Sequence, residues 1–397
     1  MSTILISSTG FADFSEDPNV GGAITLIADR LEKTQKLSGY WLKEEDFTGS
    51  IATGMAAAFQ RTCVEEYRTS AESGGSYILG IYPDEGLSGD EAFALVWLSE
   101  IGDDPTDNLW RSTLVEFYSI IESYGTSDYI AWFETGAEDS SAAFYLAHLL
   151  IAAYYVDAND KVIWRDSLPG FLAQVDSNSL YPVMALGAAT WALAQTGPLD
   201  STLVDSGGSG RPYWDSVTLA DLPGLLSSHQ VHDPPPDPGD PNDYDGSGSF
   251  YMHFVHVDEY RGFTEDTIFA VLGLIAAQRT NPGLDYDVEI LDAKQALFNA
   301  LYPDLDGTVY THIWGDSPDN YLTAGEMLTA LGDLVIDGDI NLDDVVDERD
   351  LAKIADNWLS SCSGSCLCNV TDLNENGTVN CVDFAILAEN WLRSDLM

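Results

Sequence analysis

Apolar residues recur with a helical period from Ala23 onward, and polar or glycine- and proline-rich breaks separate the periodic segments. Six segments are apolar on every face, and such helices belong in the interior of a protein. They begin at Ser50, Asp90, Ser140, Tyr181, Thr264 and Leu322. Five other segments are amphipathic and begin at Ile24, Leu109, Val162, Leu219 and Val288. The pattern predicts an all-α body built from inner and outer helices.

The two kinds of segment alternate, and the inner segments mostly start 40 to 50 residues apart. Such a period is typical of helical-hairpin repeats. An open solenoid would satisfy the alternation, but six inner helices closed into a ring would also explain why these helices are apolar all round. The architecture resembles the α/α-toroid folds of glycoside hydrolases, polysaccharide lyases and terpenoid cyclases. Neither the DxDD motif nor the QW signature of cyclases occurs, so the resemblance concerns architecture alone.

The C-terminal segment contains one unit written twice at a constant offset of 33 residues. Oxygen ligands at positions 1, 3, 5, 9 and 12 of a loop, with a backbone carbonyl at position 7, are what Ca²⁺ requires before a helix. The first loop supplies Asp339, Asn341, Asp343, Val345, Asp347 and Asp350, and the second supplies Asp372, Asn374, Asn376, Thr378, Asn380 and Asp383. The spacing therefore predicts two calcium sites.

The two loops differ at position 6, where a sharp turn requires a positive φ angle. The second loop has Gly377 there and the first has Asp344, so we expect the first site to be the weaker one. After each loop an apolar stripe predicts an amphipathic helix that packs on its counterpart. The stripes consist of Leu351, Ile354 and Trp358, and of Phe384, Leu387 and Trp391.

This duplicated loop and helix resembles the type I dockerin family over residues 337–393, including the aspartate that ends each loop. The resemblance implies calcium binding and docking to a cohesin partner, chosen in part by loop positions 10 and 11. Here those positions hold Glu348, Arg349, Cys381 and Val382, which depart from the small hydroxyl residues often found there. An acidic loop without metal is the alternative interpretation.

The chain carries 65 acidic and 16 basic residues, a net charge of −49 at pH 7. Such a surface repels nucleic acid and anionic membranes and attracts divalent cations. A halophile-like adaptation would produce the same composition. No run of eighteen apolar residues occurs, so we predict no membrane span, and the first residues do not form a recognisable signal peptide.

We predict an N-terminal arm over residues 1–20, the toroid over residues 21–335 and the calcium-binding domain over residues 336–397. Plentiful extracellular Ca²⁺ and the clustered cysteines favour an exported protein. Two disulfides are expected among Cys362, Cys366, Cys368 and Cys381, with a zinc site as the alternative. Cys63 would remain a buried thiol. Asn369 and Asn376 begin glycosylation sequons, but Asn376 should be unavailable for glycosylation because it is a predicted calcium ligand.

Candidate catalytic carboxylates occur in pairs at the starts of inner helices: Asp90 with Glu91, Glu138 with Asp139, and Glu265 with Asp266. Capping of helix N-termini explains such pairs without a substrate, and this interpretation outweighs catalysis. A loop cluster offers further polar groups, but aromatic packing with surface charges in a rim loop is the favoured interpretation. The cluster consists of Tyr251, His253, His256, Asp258, Glu259, Tyr260 and Arg261. His148 is expected to lie in the core. A further calcium ion near residues 240–245, with Asp240 and Asp245 as ligands, is set against a solvated acidic loop.

No GxSxG, HExxH, Walker or dinucleotide motif occurs, so no catalytic residue is assigned. We therefore predict an exported calcium-binding assembly protein that associates with a protein partner, or with itself, through its tail or its N-terminal arm. One alternative is a secreted polysaccharide hydrolase or lyase anchored by the dockerin. The other is a non-catalytic module that binds glycan.

Overall fold

The computed structural model describes residues 19–41, 47–102, 104–136, 139–208, 210–231, 248–254, 262–301, 306–311, 321–362, 370–374 and 376–393. These residues form α-helices joined by turns, with isolated β-bridges and no extended strand among them. The body contains helices α1 Val20–Thr34, α2 Thr48–Thr62, α3 Glu65–Glu85, α4 Gly89–Glu100, α5 Leu109–Tyr124, α6 Thr126–Gly136 and α7 Asp139–Tyr155. It continues with α8 Lys161–Leu172, α9 Pro182–Thr196, α10 Leu222–Ser227, α11 Thr264–Thr280, α12 Asp287–Asn299 and α13 Tyr321–Asp333. Two further helices, α14 Glu348–Asp356 and α15 Cys381–Glu389, follow near the C-terminus.

Six helices of the body form a closed ring. Helix α2 contacts α4, and the contacts continue through α7, α9, α11 and α13 back to α2. These are the six segments predicted to lie inside, and their apolar faces form one continuous core. The body is an α/α-toroid, as the alternation of segments predicts.

Close helix approach explains why the inner helices are rich in glycine and alanine. A Cβ atom added at Gly54 of α2 would lie 2.1 Å from the carbonyl oxygen of Gly325 in α13. One added at Gly187 of α9 would lie 2.6 Å from the carbonyl carbon of Phe269 in α11. Neither contact is sterically possible, so these helix pairs require a position without a side chain.

The outer helices cover the ring, and two of them are not anticipated by the sequence pattern. Helix α3 lies against α2 and α4, and α6 lies between α5 and α8. In α3 the glycines Gly74 and Gly75 and the internal Pro83 interrupt the apolar stripe, so helical periodicity is weak. The segment predicted from Leu219 is a 3₁₀ turn, Leu219–Asp221, that leads directly into α10.

Residues 336–362, 370–374 and 376–393, here called the C-terminal module, have a small apolar core of their own. It consists of Ile336, Val346, Ile354, Cys362, Val379 and Leu387. Helices α14 and α15 contact each other, as the duplicated pattern predicts.

The predicted burial of both tryptophan-containing stripes is wrong in part. Ile354 and Leu387 are fully buried, but Trp358, Phe384 and Trp391 are exposed by 40 to 45%. Each helix ends before its tryptophan, and the chain then turns through a left-handed leucine. Because the tryptophans lie beyond the helix ends, they leave the stripe that the helical period assigns to them.

The cysteines are also arranged differently from the prediction. Cys63, expected as a buried thiol, is half-buried and disulfide-bonded, and the buried Cys362 is disulfide-bonded as well. Cys381, expected in a disulfide, is an exposed free cysteine. Since the chain has five cysteines and the other four follow residue 361, the disulfide of Cys63 joins the body to the C-terminal segment.

Candidate functional site

The two calcium-type loops of the C-terminal module fold in the same way around their first residue. Asp339 accepts hydrogen bonds from the backbone N–H groups of Asp343 and Asp344, at 3.2 and 2.8 Å. In the second loop Asp372 accepts the equivalent bonds from Asn376 and Gly377, at 3.1 and 2.7 Å. The loop backbone therefore wraps around the carboxylate at position 1 in both copies.

The carboxylate at position 12 closes each loop from the other side. Asp350 accepts from the N–H groups of Ile340 and Asn341 with one oxygen, and from Asp347 with the other. Asp383 does the same with Asn374 and Asn380. Both aspartates are fully buried, so the ends of each loop are held together inside the module.

The remaining predicted ligands are oriented by hydrogen bonds within the loops. Their side-chain oxygens accept from the backbone two residues further along, and this pattern holds for Asn341, Asp343, Asp347, Asn374, Asn376 and Asn380. Asp347 and Asn380 also cap α14 and α15. The backbone oxygens of Val345 and Thr378 at position 7 complete the predicted donor set.

The all-oxygen donor set fits a hard cation such as Ca²⁺. Burial raises the pKa of Asp339 most, and the charges of Asp350 and Asp344 raise it further. Hydrogen bonds from the loop backbone lower it, and the net result is a pKa of about 7. Burial also raises the pKa of Asp350. A divalent cation would offset this crowding of carboxylates. In the described part of the chain, no three Asp, Glu, His or Cys side chains converge as a metal site. The predicted calcium sites therefore depend also on amide and backbone oxygens of the loops.

The four predicted partner-binding residues all lie on the surface of the module at the starts of its two helices. Their chemistry differs between the copies. Arg349 forms an ion pair with Asp343 and lies near the carboxylate of Asp347, so its side chain packs against the first calcium-type loop. Val382 is 47% exposed, and Cys381 beside it is a free thiol.

A second cluster of functional groups lies at the centre of the toroid, where inner helices bring four carboxyl groups together. Asp90 comes from α4, Glu265 and Asp266 from the first turn of α11, and Glu326 from α13. Asp90, Asp266 and Glu326 are each less than 7% exposed. Glu326 is not among the residues predicted from the sequence, where its only signal is a single carboxylate within an otherwise apolar inner helix.

Burial raises the pKa values of all four groups. The pKa of Asp90 rises to about 7, through burial first and then the charge of Glu91. Asp266 and Glu326 have pKa values raised well above the ordinary range, because burial acts together with neighbouring carboxylates. Hydrogen bonding to Thr323 opposes the rise for Glu265.

A cavity of about 20 Å³ lies beside this cluster, which is room for about one water molecule. Its walls include Asp90, Glu326, His148, Trp191 and Phe269. His148 is buried, as predicted, and burial lowers its pKa to about 4. Within the described residues, one carboxylate oxygen of Asp266 and one of Glu326 have no hydrogen-bond partner.

The other predicted polar groups separate into caps and positions that the structure does not describe. Glu91 forms a capping box with Ser88, which agrees with the structural interpretation of that carboxylate. His253 is half-buried and Tyr251 partly exposed in a bent segment rather than a strand. Glu138, the side chain of Asp139, residues 255–261, the segment with Asp240 and Asp245, and Asn369 lie outside the described residues.

Comparison with known proteins identifies the C-terminal module. Residues 337–392 match the dockerin type I domain, which agrees with the resemblance found from the calcium-type loops. No curated protein sequence matches the chain. No helix among the described residues is both long and apolar enough to cross a membrane.

Two solved structures resemble the toroid at a distance. One is the GH76A α-1,6-mannanase from Salegentibacter sp. HEL1_6, with 12% identity and a TM-score of 0.46, covering 80% of this chain and 99% of that one. The other is a polysaccharide lyase with 14% identity and a TM-score of 0.45, covering 79% and 96% of the two chains. At this distance neither similarity indicates what the toroid acts on.

Proposed function

We propose that this chain is an exported calcium-binding assembly protein, in which the dockerin domain attaches the toroid body to a protein partner. One observation carries the proposal. In both loops the residues at positions 1 and 12 accept the same backbone hydrogen bonds, so each copy encloses a set of oxygen donors. Because both copies are closed by the same hydrogen bonds, we infer two calcium sites and not a single site beside a repeat that has lost metal binding.

The ligands would be the side chains and carbonyls already named at positions 1, 3, 5, 7, 9 and 12 of each loop. When bound, Ca²⁺ supplies positive charge that neutralises the loop carboxylates and fixes the loop geometry. The protein holds Asp350 and Asp383 buried at the start of each helix, so cation binding and helix capping use the same residues.

The surface beside the second loop supports protein docking. Val382 and Phe384 of α15 and Trp391 beyond it are large apolar side chains with 40 to 47% exposure. Apolar and aromatic residues on an otherwise strongly acidic surface mark a site for a protein partner. We propose that Cys381 and Val382, with Glu348 and Arg349 of the first copy, contact that partner.

A binding experiment with a type I cohesin tests this proposal. The full chain, immobilised, should retain the cohesin in Ca²⁺ and release it when a chelator is added. Val382→Glu should weaken retention, whereas Val115→Glu, which alters a similarly exposed valine on α5, should not. If no cohesin is retained and light scattering finds only monomers in Ca²⁺, the assembly function is wrong.

A carbohydrate-active enzyme is the second candidate function, and the central carboxyl cluster favours it. Glycoside hydrolysis needs a carboxyl group that is protonated near neutral pH and a second carboxylate nearby. The raised pKa of Asp90 suits the first role, and Glu265, Asp266 and Glu326 provide further carboxyl groups in the same cluster.

A screen of polysaccharides with the full chain separates the two candidates. Turnover that falls at least about a hundredfold in Asp90→Asn or Glu326→Gln would support catalysis. Glu91→Gln serves as the matched control because that carboxylate caps α4. Binding without turnover would indicate a glycan-binding module, and neither binding nor turnover would leave the body a structural element.

A further inference from the structure

The first calcium-type loop contacts the toroid body through the residue that distinguishes it from the second loop. Asp344 occupies loop position 6, where the second loop has Gly377. Its φ angle is +65°, a conformation that costs a non-glycine residue energy. We therefore expect the side chain of Asp344 to make a contact that offsets this cost, since the neighbouring calcium ligands do not require an aspartate here.

The side chain of Asp344 points away from the loop and into the body. Its carboxylate lies 3.3 Å from the ammonium of Lys294 on α12 and accepts from the backbone N–H of Val20 at 3.3 Å. Asp344 and Lys294 are 6% and 4% exposed. A carboxylate and an ammonium group buried together strongly disfavour separation, because either one alone would be an uncompensated charge.

The neighbouring residue strengthens the same contact. Leu342, at loop position 4, packs against the core of the body. A Cβ atom at Gly21 would lie 2.6 Å from the carbonyl oxygen of Leu342, so the N-terminus of α1 is shaped to admit the loop. The second loop carries Glu375 and Gly377 at the equivalent positions, and a Cβ atom at Gly377 would meet no atom within 4 Å.

We propose that the two calcium loops have different tasks: the first fastens the module to its own toroid body when it binds Ca²⁺, and the second stays free. Position 6 lies between the ligands at positions 5 and 7, Asp343 and Val345. Because Ca²⁺ would hold these two ligands in place, it would also hold the backbone that orients the side chain of Asp344 toward Lys294 and Val20. Calcium loading and fastening are then coupled, and by linkage the body raises the calcium affinity of the first loop. This inference rests on the proposed calcium binding.

Hydrogen exchange of the peptide that covers residues 19–26 tests the coupling. This peptide contains the N–H group of Val20, which donates a hydrogen bond to Asp344, but it contains no predicted calcium ligand. In the full chain, Ca²⁺ should slow its exchange by about tenfold, in line with ordinary coupling energies. Asp344→Gly, which copies the second loop and keeps all predicted ligands, should abolish this slowing. Gly377→Asp is the matched control and should leave the slowing unchanged.

Calorimetric titration of the same proteins with Ca²⁺ distinguishes a failure of the proposed metal sites from a failure of the proposed coupling. Lack of any Ca²⁺ binding by the wild-type chain would overturn the proposed metal sites themselves. If two ions bind and exchange in residues 19–26 responds equally in wild type and Asp344→Gly, or in neither, the metal sites stand and the coupling is wrong. Lys294→Met provides a second variant, and it should reduce the calcium-dependent slowing as Asp344→Gly does.

Discussion

The carboxylate of Asp266 accepts a 3.0 Å hydrogen bond from the backbone N–H of Met184. The two residues lie in the first turns of the adjacent inner helices α11 and α9. One helix thus places its acidic first-turn residue over the N-terminus of its neighbour, where free N–H groups favour negative charge. The second oxygen of Asp266 has no partner among the described residues, so the group is positioned but incompletely satisfied.

The buried carboxyl cluster should make the body less stable as pH rises. Asp90 has an ordinary pKa of 3.8 and a folded-state value of about 7. The folded chain keeps a proton that the unfolded chain releases, so stability is fully present below 3.8 and declines until about pH 7. His148 acts in the opposite direction between 6.5 and about 4.

We expect the free energy of unfolding, obtained from urea denaturation at saturating Ca²⁺, to fall between pH 5 and pH 8 by about 1.4 kcal/mol per pH unit for each proton released. Asp90→Asn and Glu326→Gln should each flatten this decline, because an amide does not titrate. Glu100→Gln, which changes an exposed carboxylate at the end of α4, should leave the slope intact. A midpoint independent of pH in the wild type would contradict the assignment of the cluster as buried acids.

Close packing of α2 against α13 should make Gly54→Ala destabilising. The added methyl group would overlap the backbone at Gly325, and we expect a loss of about 1–3 kcal/mol in the free energy of unfolding. Gly80→Ala in α3 is the matched comparison, because that position is exposed and its Cβ meets nothing within 4 Å. It should stabilise the protein by about 0.5–1 kcal/mol. Equal effects in chemical denaturation would count against the tight inner ring.

Removal of the position-12 carboxylate should eliminate one calcium site. Asp383→Ala deletes a predicted ligand and the acceptor of the N–H groups of Asn374 and Asn380. Titration calorimetry should find one bound Ca²⁺ per chain instead of two, and the module should melt at a lower temperature. Glu389→Ala removes an exposed acidic side chain on the same helix, and we expect this variant to bind two ions per chain. Two ions bound by Asp383→Ala would show that the residue is not a ligand.

The disulfide of Cys63 should link two distant peptides. Digestion without reduction should release the peptide with Cys63 covalently joined to one from residues 362–368, while Cys381 reacts with an alkylating reagent in the folded protein. Reduction should separate the joined peptides. If Cys63 is alkylated without reduction, no disulfide joins the toroid to the C-terminal segment.

Several features of the body could be predicted because they depend on nearby residues. The six inner helices follow from apolar residues on every face, and their closure follows from the need to bury all of those faces. Helix α3 could not be predicted in this way. Its glycines at positions 74 and 75 lower helix propensity, yet they allow close contact with Trp41 and Trp110.

The calcium-type loops show where sequence spacing is sufficient and where it fails. Donors at positions 1 and 12 are brought together by hydrogen bonds within twelve residues, so the repeat alone indicates them. The burial of Trp358 and Trp391 could not be judged from the same repeat. The helices end earlier than their apolar period, and the turn beyond each helix places its tryptophan on the surface.

The sequence by itself determined most elements of this protein: the inner helices, their alternation with amphipathic helices, the doubled loops and the acidic composition. Only the tertiary structure decided which distant residues meet, such as Asp90 beside Glu326 at the centre of the ring and Asp344 beside Lys294. Periodicity and loop spacing are properties of neighbouring residues and are legible in the chain. Contacts between remote charged groups depend on which helix faces meet inside the ring and on how the C-terminal module packs, which no local pattern encodes.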